Sequence, residues 1–518
     1  MRTLDIAIII IYLAAMPLIG VLVGRKQKSA SDYFVGERSL PWFAVTLSVV
    51  ATETSTLTVI STPGLVFGNA FTFLSLALGY IVGRTIAAFV LLPQYFKGNM
   101  VSAYGFLGKR FGKGLQGTAS LTFIVTRLLA EGVRLFAGAI PIKIILDHFG
   151  VSMSYPAIVV ILTALTLLYA YVGGIKAVVW VDVIQLSLYL GGAIAAIIVL
   201  ANKLPDGWLS MARADGKLDL WNLSLHIWTS PYMLITGIVG GAVFSMASHG
   251  SDQLIAQRLL ATKSLRDGQK ALIGSGIIVF VQFTLFLVVG AMLWVFDGRK
   301  TVTQLGMQSA DDVFSRFIID DLPVGISGLL IAGVLASTMG ALASALNALS
   351  TSTVADLYQK FTKRNASDSK LLRHGRVWTL VWAVVFAVFA SMFSSTKNSV
   401  IELGLAIVGY TYGALLGAFV LGLVVRRARQ ADAIVAFVAT VAVMAFVILG
   451  LKFSKTTGAF IGVDFSKAAG DNVALAFPWY PLLGVLITLV VGGLMSLRHP
   501  SPPPPEEAAE EEAVAKVA

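Results

Sequence analysis

The sequence contains no cysteine, which excludes disulfides, thiolate metal sites and cysteine nucleophiles. It is also short of charge. Asp, Glu, Lys and Arg make up 13% of 518 residues, against 57% hydrophobic residues, and the mean hydropathy is +0.82. A soluble chain of this size covers its surface with charged and polar groups, and too few are present here. Lipid is therefore the expected solvent for much of the surface. The net charge of +11 would suit nucleic acid if the basic residues were clustered. They are instead spread over short segments between apolar stretches, so no nucleic-acid partner is expected.

What the chain has in place of charge is long apolar runs. A spanning helix needs about 20 mostly apolar residues. Stretches of that kind fall near 4–24, 43–67, 71–96, 116–147, 154–172, 178–202, 231–250, 271–297, 325–357, 375–394, 398–425, 432–452 and 478–497. The first follows a single Arg2 and has no small-residue cleavage site, so it reads as a retained helix. With the N-terminus outside, this alternation sorts the 39 Lys and Arg residues into 24 inside, 11 outside and four within stretches. That bias is the one expected for cytoplasmic loops.

The expected fold is an all-α membrane protein of about 13 transmembrane helices, N-out and C-in, multi-pass in a bacterial inner membrane. Residues 1–500 form one transmembrane domain, and the Pro-rich, then Glu/Ala-rich tail 501–518 is expected to be disordered. The loops 203–230, 298–324 and 453–477 carry mixed charge, and Trp208, Trp221 and Trp228 lie in the first of them. Amphipathic segments at the membrane interface would suit these loops.

Charge at mid-bilayer depth is costly and marks function or fixed pairing. Five such residues stand out: Glu53, Arg84, Arg127, Glu131 and Arg134. The spacings 127/131 and 131/134 put three of them on one helix face. The cluster reads either as a structural ion-pair lock between helices or as the lining of a solute path. Three Arg against two Glu leave one positive charge, favouring a carboxylate-bearing solute. The stretch from Ala51 through Thr58 to Pro63-Gly64 is crowded with hydroxyl and β-branched residues, which weakens a continuous helix. Transporters expose carbonyls and helix ends to solute and ions at such breaks. The small residues of Ser337–Asn347 permit close helix packing.

Three segments resemble the sodium/solute symporter family. Gly173-Gly174, Ala177-Val178, Trp180, Asp182 and Gln185 are similar to its G-G-x-x-A-V-x-W-T-D-x-x-Q. His249-Gly250-Ser251-Asp252-Gln253 with Gln257-Arg258 is similar to H-G-T-D-Q-x-x-x-Q-R. Ser344 and Asn347, followed by Asp356 and Tyr358, are similar to S-x-x-N with a D-x-Y ending. The resemblance implies the five-plus-five inverted repeat of the leucine transporter. Its core repeats would lie at about 43–202 and 231–425, and the stretches 43–67 and 231–250 would be the broken pair with solute between them. It further implies substrate contacts at Ser55 and Thr58, and at Arg134 for a carboxylate. Arg84 and Gln282 are further candidates, with Phe67 and His249 behind them.

For the family's shared sodium site the resemblance implies carbonyls of Ala51, Thr54 and Ser337, but the hydroxyl positions are Gly340 and Ala341. In a second sodium site Asp182 and Ser344 remain, while Gly340 and Ala343 replace hydroxyls. Glu53 stands beside the gap. Either sodium binds with Glu53 or Ser337/Thr338 supplying oxygens, or Glu53 titrates and the carrier is proton-coupled. No catalytic residue and no cofactor other than the coupling ion is expected, and the carrier is expected to act as a monomer. The rival of another class is a transporter-like membrane solute sensor. Enzyme activity is not expected, since His249, Asp252 and Asp182 read as capping and inter-helix hydrogen-bonding residues.

Overall fold

A computed structural model describes residues 3–24, 29–54, 56–68, 70–97, 100–148, 150–307, 309–359, 367–392, 400–466 and 470–500. Ser55 and the tail 501–518 lie outside the described residues. The described residues are mostly helical, because a backbone in lipid has to satisfy its own hydrogen bonds. The main helices are α1 (Thr3–Gly24), α2 (Trp42–Glu53), α3 (Thr56–Gly68), α4 (Leu74–Val90), α5 (Lys113–His148) and α6 (Tyr155–Lys203). Then comes α7, in which π-helical turns Thr236–Gly240 and Ala247–Ser251 flank the α-helical turn Gly241–Met246. It is followed by α8 (Gln253–Leu260), α9 (Leu265–Phe296), α10 (Ile326–Thr351), α11 (Asp368–Ser391), α12 (Val400–Val424), α13 (Gln430–Gly450) and α14 (Trp479–Ser496).

Among the described residues, eight helices are long and apolar enough to cross a membrane, or nine if α2 and α3 count as one bent span. One of the eight is α6, whose 49 residues extend about 74 Å at 1.5 Å per residue, more than twice the hydrocarbon thickness. It kinks at Gly174, whose φ of 50° and ψ of −151° belong to a region open to glycine alone. The Gly-Gly of the first motif is thus a hinge between the stretches expected at 154–172 and 178–202.

The break of the second expected span falls at Thr54, which takes an extended ψ of 114°. Thr52 and Thr54 turn their hydroxyls back to the carbonyls of Ser48 and Val50, at 2.7 and 2.8 Å, competing with the helical ladder. The axes of the two halves differ by 63°. Pro63 and Gly64 do not end the helix; they lie inside α3. A matching break follows α7, where Asp252 is extended (ψ 128°) and its Oδ1 accepts from Leu254 N at 2.9 Å, capping α8.

Two of the three loops contain short helices, Trp208–Ala214 and Asp311–Asp320, the second burying Val313, Phe314, Phe317 and Ile318 on one face as expected of an amphipathic piece, and the third differs. It is an antiparallel sheet, β1 (Leu451–Ser454), β2 (Phe460–Val463) and β3 (Asn472–Val473), in the order β2-β1-β3. Its aromatic and β-branched residues, turned at Gly458 with φ 71°, suit strands better than a helix. The first loop is strapped down. Lys217 Nζ donates to Phe67 O near the end of α3 at 2.7 Å, and burial pushes its ammonium pKa down. Nearby, Asp215 accepts from Arg299 Nε at 2.6 Å and Trp294 Nε1 at 2.8 Å. Those hydrogen bonds hold its carboxyl at about 2.

At the centre lies α10, almost wholly buried, where small residues let α6, α1 and α5 approach closely. Its N-terminus is capped from another helix: Asp5 Oδ1 on α1 accepts from Gly325 N (2.7 Å) and Gly328 N (2.9 Å). A carboxylate there satisfies orphan amides and complements the helix dipole. Asp5→Ala is expected to cost about 1–2 kcal/mol and lower the melting temperature of the purified protein, with Asp5→Asn intermediate. Unchanged melting of the alanine variant would show that α10 needs no such cap.

Candidate functional site

The mid-membrane charges form one connected cluster around the two helix breaks. Glu53, the last residue of α2, is ion-paired with Arg84 of α4, and His249 Nε2 of α7 stands 3.5 Å from its Oε2. Arg84 is completely buried, with Nη1 on Ser275 Oγ (2.8 Å) and Nε on Ser245 Oγ (3.3 Å). On α5, Glu131 Oε1 accepts from Arg127 Nη1 at 2.9 Å and Arg134 Nη1 at 3.1 Å. The shared face expected from their spacing is therefore present. Each arginine then reaches a different break. Arg134 Nη2 donates to the Glu53 carbonyl at 3.2 Å, while Arg127 Nη2 pairs with Asp252 and donates to Tyr412 Oη at 2.9 Å.

Asp252 changes the charge count. With it, Arg84, Arg127 and Arg134 face Glu53, Glu131 and Asp252, so the excess positive charge inferred from the sequence is cancelled. The sequence pointed to Asp252 only as part of a motif, and its place beside Arg127 has no signal in periodicity or spacing. Of the three guanidiniums, Arg134 keeps the most exposure, 28% of its side chain against 7% for Arg127 and none for Arg84.

Several candidates meet at the α2 break. Thr54 Oγ1 accepts from Gln282 Nε2 of α9 at 2.8 Å, so these two are brought together. Ala51 and Thr54 are buried on α2 and at its end, where carbonyls lose helical partners. Thr58 is half-buried on α3. Ser337 is buried on α10, and its hydroxyl donates to Val334 O at 2.8 Å. Thr338 Oγ1 is turned towards α5, where a Cβ at Gly138 would come within 2.2 Å of it. Phe67 stacks edge-on against Trp294, with ring centroids 5.4 Å apart, beneath the Lys217 strap.

The remaining candidates, Asp182 and Ser344, enclose the guanidinium of Arg258. Asp182 Oδ2 accepts from Arg258 Nη2 (3.2 Å) and Ser48 Oγ (2.6 Å), Arg258 also donates to Ser344 Oγ, and all are buried. Gln257 donates to Asn347 Oδ1 and, at 2.8 Å, to Thr351 Oγ1. The three sequence motifs are thus one buried hydrogen-bond network. Gly340 has a reason within it: a Cβ there would lie 2.3 Å from Gln185 Oε1.

Comparison with known proteins accords with this geometry. Residues 33–440 match the Sodium:solute symporter family. The chain belongs to that family. It is accordingly a multi-pass membrane protein of a secondary-transporter family, and not an enzyme. It is 27% identical to the sodium/sialic acid symporter of Proteus mirabilis (85% of this chain, 88% of that one). It is equally 27% identical to the sodium/sialic acid symporter of Aliivibrio fischeri (95% and 92%) and the sodium/glucose cotransporter of Vibrio parahaemolyticus (92% and 90%). The fold is that of a Na+-coupled sialic acid symporter solved in a substrate-bound outward-open state: TM-score 0.79, 24% identity, covering 96% of this chain and 98% of that one.

Glu131 neutralises two guanidiniums at once. Glu131→Ala is expected to destabilise the protein by about 1–3 kcal/mol, since Arg127 keeps Asp252 as a partner but loses its second carboxylate, seen as a fall in melting temperature. Arg134→Ala, at a more exposed position, is expected to lower it far less. Equal losses would show that Glu131 has no special place.

Proposed function

We propose that this symporter imports a small carboxylate-bearing solute, and that Arg134 receives the carboxylate. The observation that carries this reading is the position of Arg134: its Nη2 reaches the broken end of α2, and its side chain alone among the three clustered arginines stays substantially exposed. With the cluster's charges balanced, attraction for an anion comes from that exposed fork and not from net excess. Thr58 and Gln282 complete the proposed contacts, together with Ser55 by its place in the sequence. Arg84, with its donors on Glu53, Ser245 and Ser275, acts in this reading by holding the end of α2. Relatives named for sialic acid transport, a carboxylate-bearing sugar, support the solute class.

For sodium, the proposed ligands are the carbonyls of Ala51, Thr54 and Ser337, with Glu53 nearby. The guanidinium of Arg258 stands between Asp182 and Ser344, where a second cation would otherwise sit, so one sodium per cycle is the proposed stoichiometry. A carboxylate engaging Arg134 competes with the Glu53 carbonyl for the same donor. Its binding frees an oxygen beside the ion ligands and so links the two sites reciprocally. The reading includes thirteen spans, N-out and C-in, in a bacterial inner membrane. It also takes 43–202 and 231–425 as inverted repeats whose breaks at Thr54 and Asp252 correspond, with the monomer as the working unit.

Proteoliposomes test this. Uptake of an acidic sugar is expected to follow an imposed sodium gradient, with a hyperbolic dependence on sodium; a sigmoidal one would overturn the single site. Arg134→Ala is expected to raise KM for the acid by about 10- to 150-fold, equivalent to about 1.5–3 kcal/mol for a charged hydrogen bond. Uptake indifferent to sodium but driven by a proton gradient and abolished in Glu53→Gln would favour the proton-coupled alternative instead.

A further inference from the structure

The sheet between α13 and α14 has an exposed apolar edge. Strand β2 pairs with β1 on one side only. Its Phe460, Ile461 and Val463 are exposed, and Phe465 just beyond is 62% exposed. Edges in water are blunted by shortness, charge, proline or bulges; β2 is four residues long and its pairing with β1 is irregular at Lys452/Phe453, but it carries neither charge nor proline.

A second apolar stretch lies against the sheet. Residues 221–228 expose Trp221, Leu223, Trp228 and Leu225, the last by 90%. Trp228 O accepts from Ala476 N, and Ile227 O from Trp479 Nε1, both at 2.7 Å. His226 meanwhile packs on Gly458 in the turn before β2. The two stretches make one apolar face.

That face continues the lipid-facing side of α13. The ring of Phe465 stands 5.6 Å from that of Phe446, one turn inside the helix end, and Leu449 beside it is exposed. Since β1 begins at Leu451, directly after α13 ends, α13 as a membrane-spanning helix would put the sheet where hydrocarbon gives way to headgroups. Four-residue strands extend about 13 Å, about twice the roughly 5–8 Å of interfacial layer on each side of a bilayer, so β2 fits that layer lying along the membrane plane. The outward N–H and C=O groups of β2 need water or headgroups, so the hydrocarbon core is excluded. Exposed indoles favour the same layer.

We propose that residues 221–228 and the edge strand β2 lie in the bilayer interface as a lipid-bound foot on this side of the protein. Because the chain has no cysteine, single spin labels test it cleanly. Ile461→Cys and Leu225→Cys would be labelled in phosphatidylcholine/phosphatidylglycerol vesicles, with lipid-facing Val490→Cys and water-facing Gln304→Cys as references. Relaxation by oxygen and by a water-soluble nickel chelate is then read. The expected result is oxygen access approaching that of position 490 and nickel access several-fold below that of position 304, at both test sites. Nickel access equal to that at position 304 would overturn the proposal. So would dipolar broadening that disappears on dilution with unlabelled protein, which would mark the face as a contact between copies. Retained sodium-driven uptake shows that each labelled variant is folded.

Discussion

The carboxylate of Glu131 between two guanidiniums is the contact on which the central architecture depends. A helix that stops within a bilayer leaves carbonyls and amides that lipid cannot satisfy. This protein stops two helices there, at Thr54 and Asp252. Helix α5 reaches both ends: Arg134 donates to the Glu53 carbonyl and Arg127 pairs with Asp252. Two such cations on one buried face would repel each other, and Glu131 lying between them makes the arrangement tolerable. Exposed ion pairs are worth about 0–1 kcal/mol, whereas breaking a buried one costs several times more. The cluster therefore fixes where the breaks lie relative to one another, even if it adds little to net stability.

The small residues of α10 do a complementary task. They allow α1, α5 and α6 to pack at close range, and each close approach is matched by a specific polar partner. Asp5 caps the helix, Gln185 fills the space at Gly340, and Ser344 takes a donor from Arg258. With Gln185 placed as it is, a side chain at position 340 would meet its amide oxygen, so one of the two would have to shift.

Much of this was legible in the sequence because it follows from periodicity and solvent. Long apolar runs predict helices, and hydroxyl crowding after Ala51 predicts a weak point in α2. The 127/131/134 spacing predicts a shared face, which Glu131 bears out by accepting from both arginines. What could not be read was tertiary. Nothing local places Asp252 beside Arg127, so the charge count came out one positive too many. The break fell at Thr54, within the stretch expected to be weak, whereas the Pro-Gly pair beyond it lies within α3, because Pro63 tolerates a helical φ once neighbouring segments hold it. The loop at 453–477 alternates too weakly to distinguish strand from interfacial helix until Gly458 is seen to turn it.

The same geometry bears on how ion and solute are linked. Arg134 has two kinds of partner: Glu131 on its own helix and the Glu53 carbonyl across the gap. The first is fixed by helical spacing and persists whatever α2 does. The second depends on the distance between α5 and α2, and it is the one a solute carboxylate would replace. A hydrogen bond to a charged group contributes about 1.5–3 kcal/mol, the range typical of coupling between sites. On the proposed reading the coupling therefore needs no long pathway through the fold. It is contained in one guanidinium shared between the end of a broken helix and the anion that binds beside it.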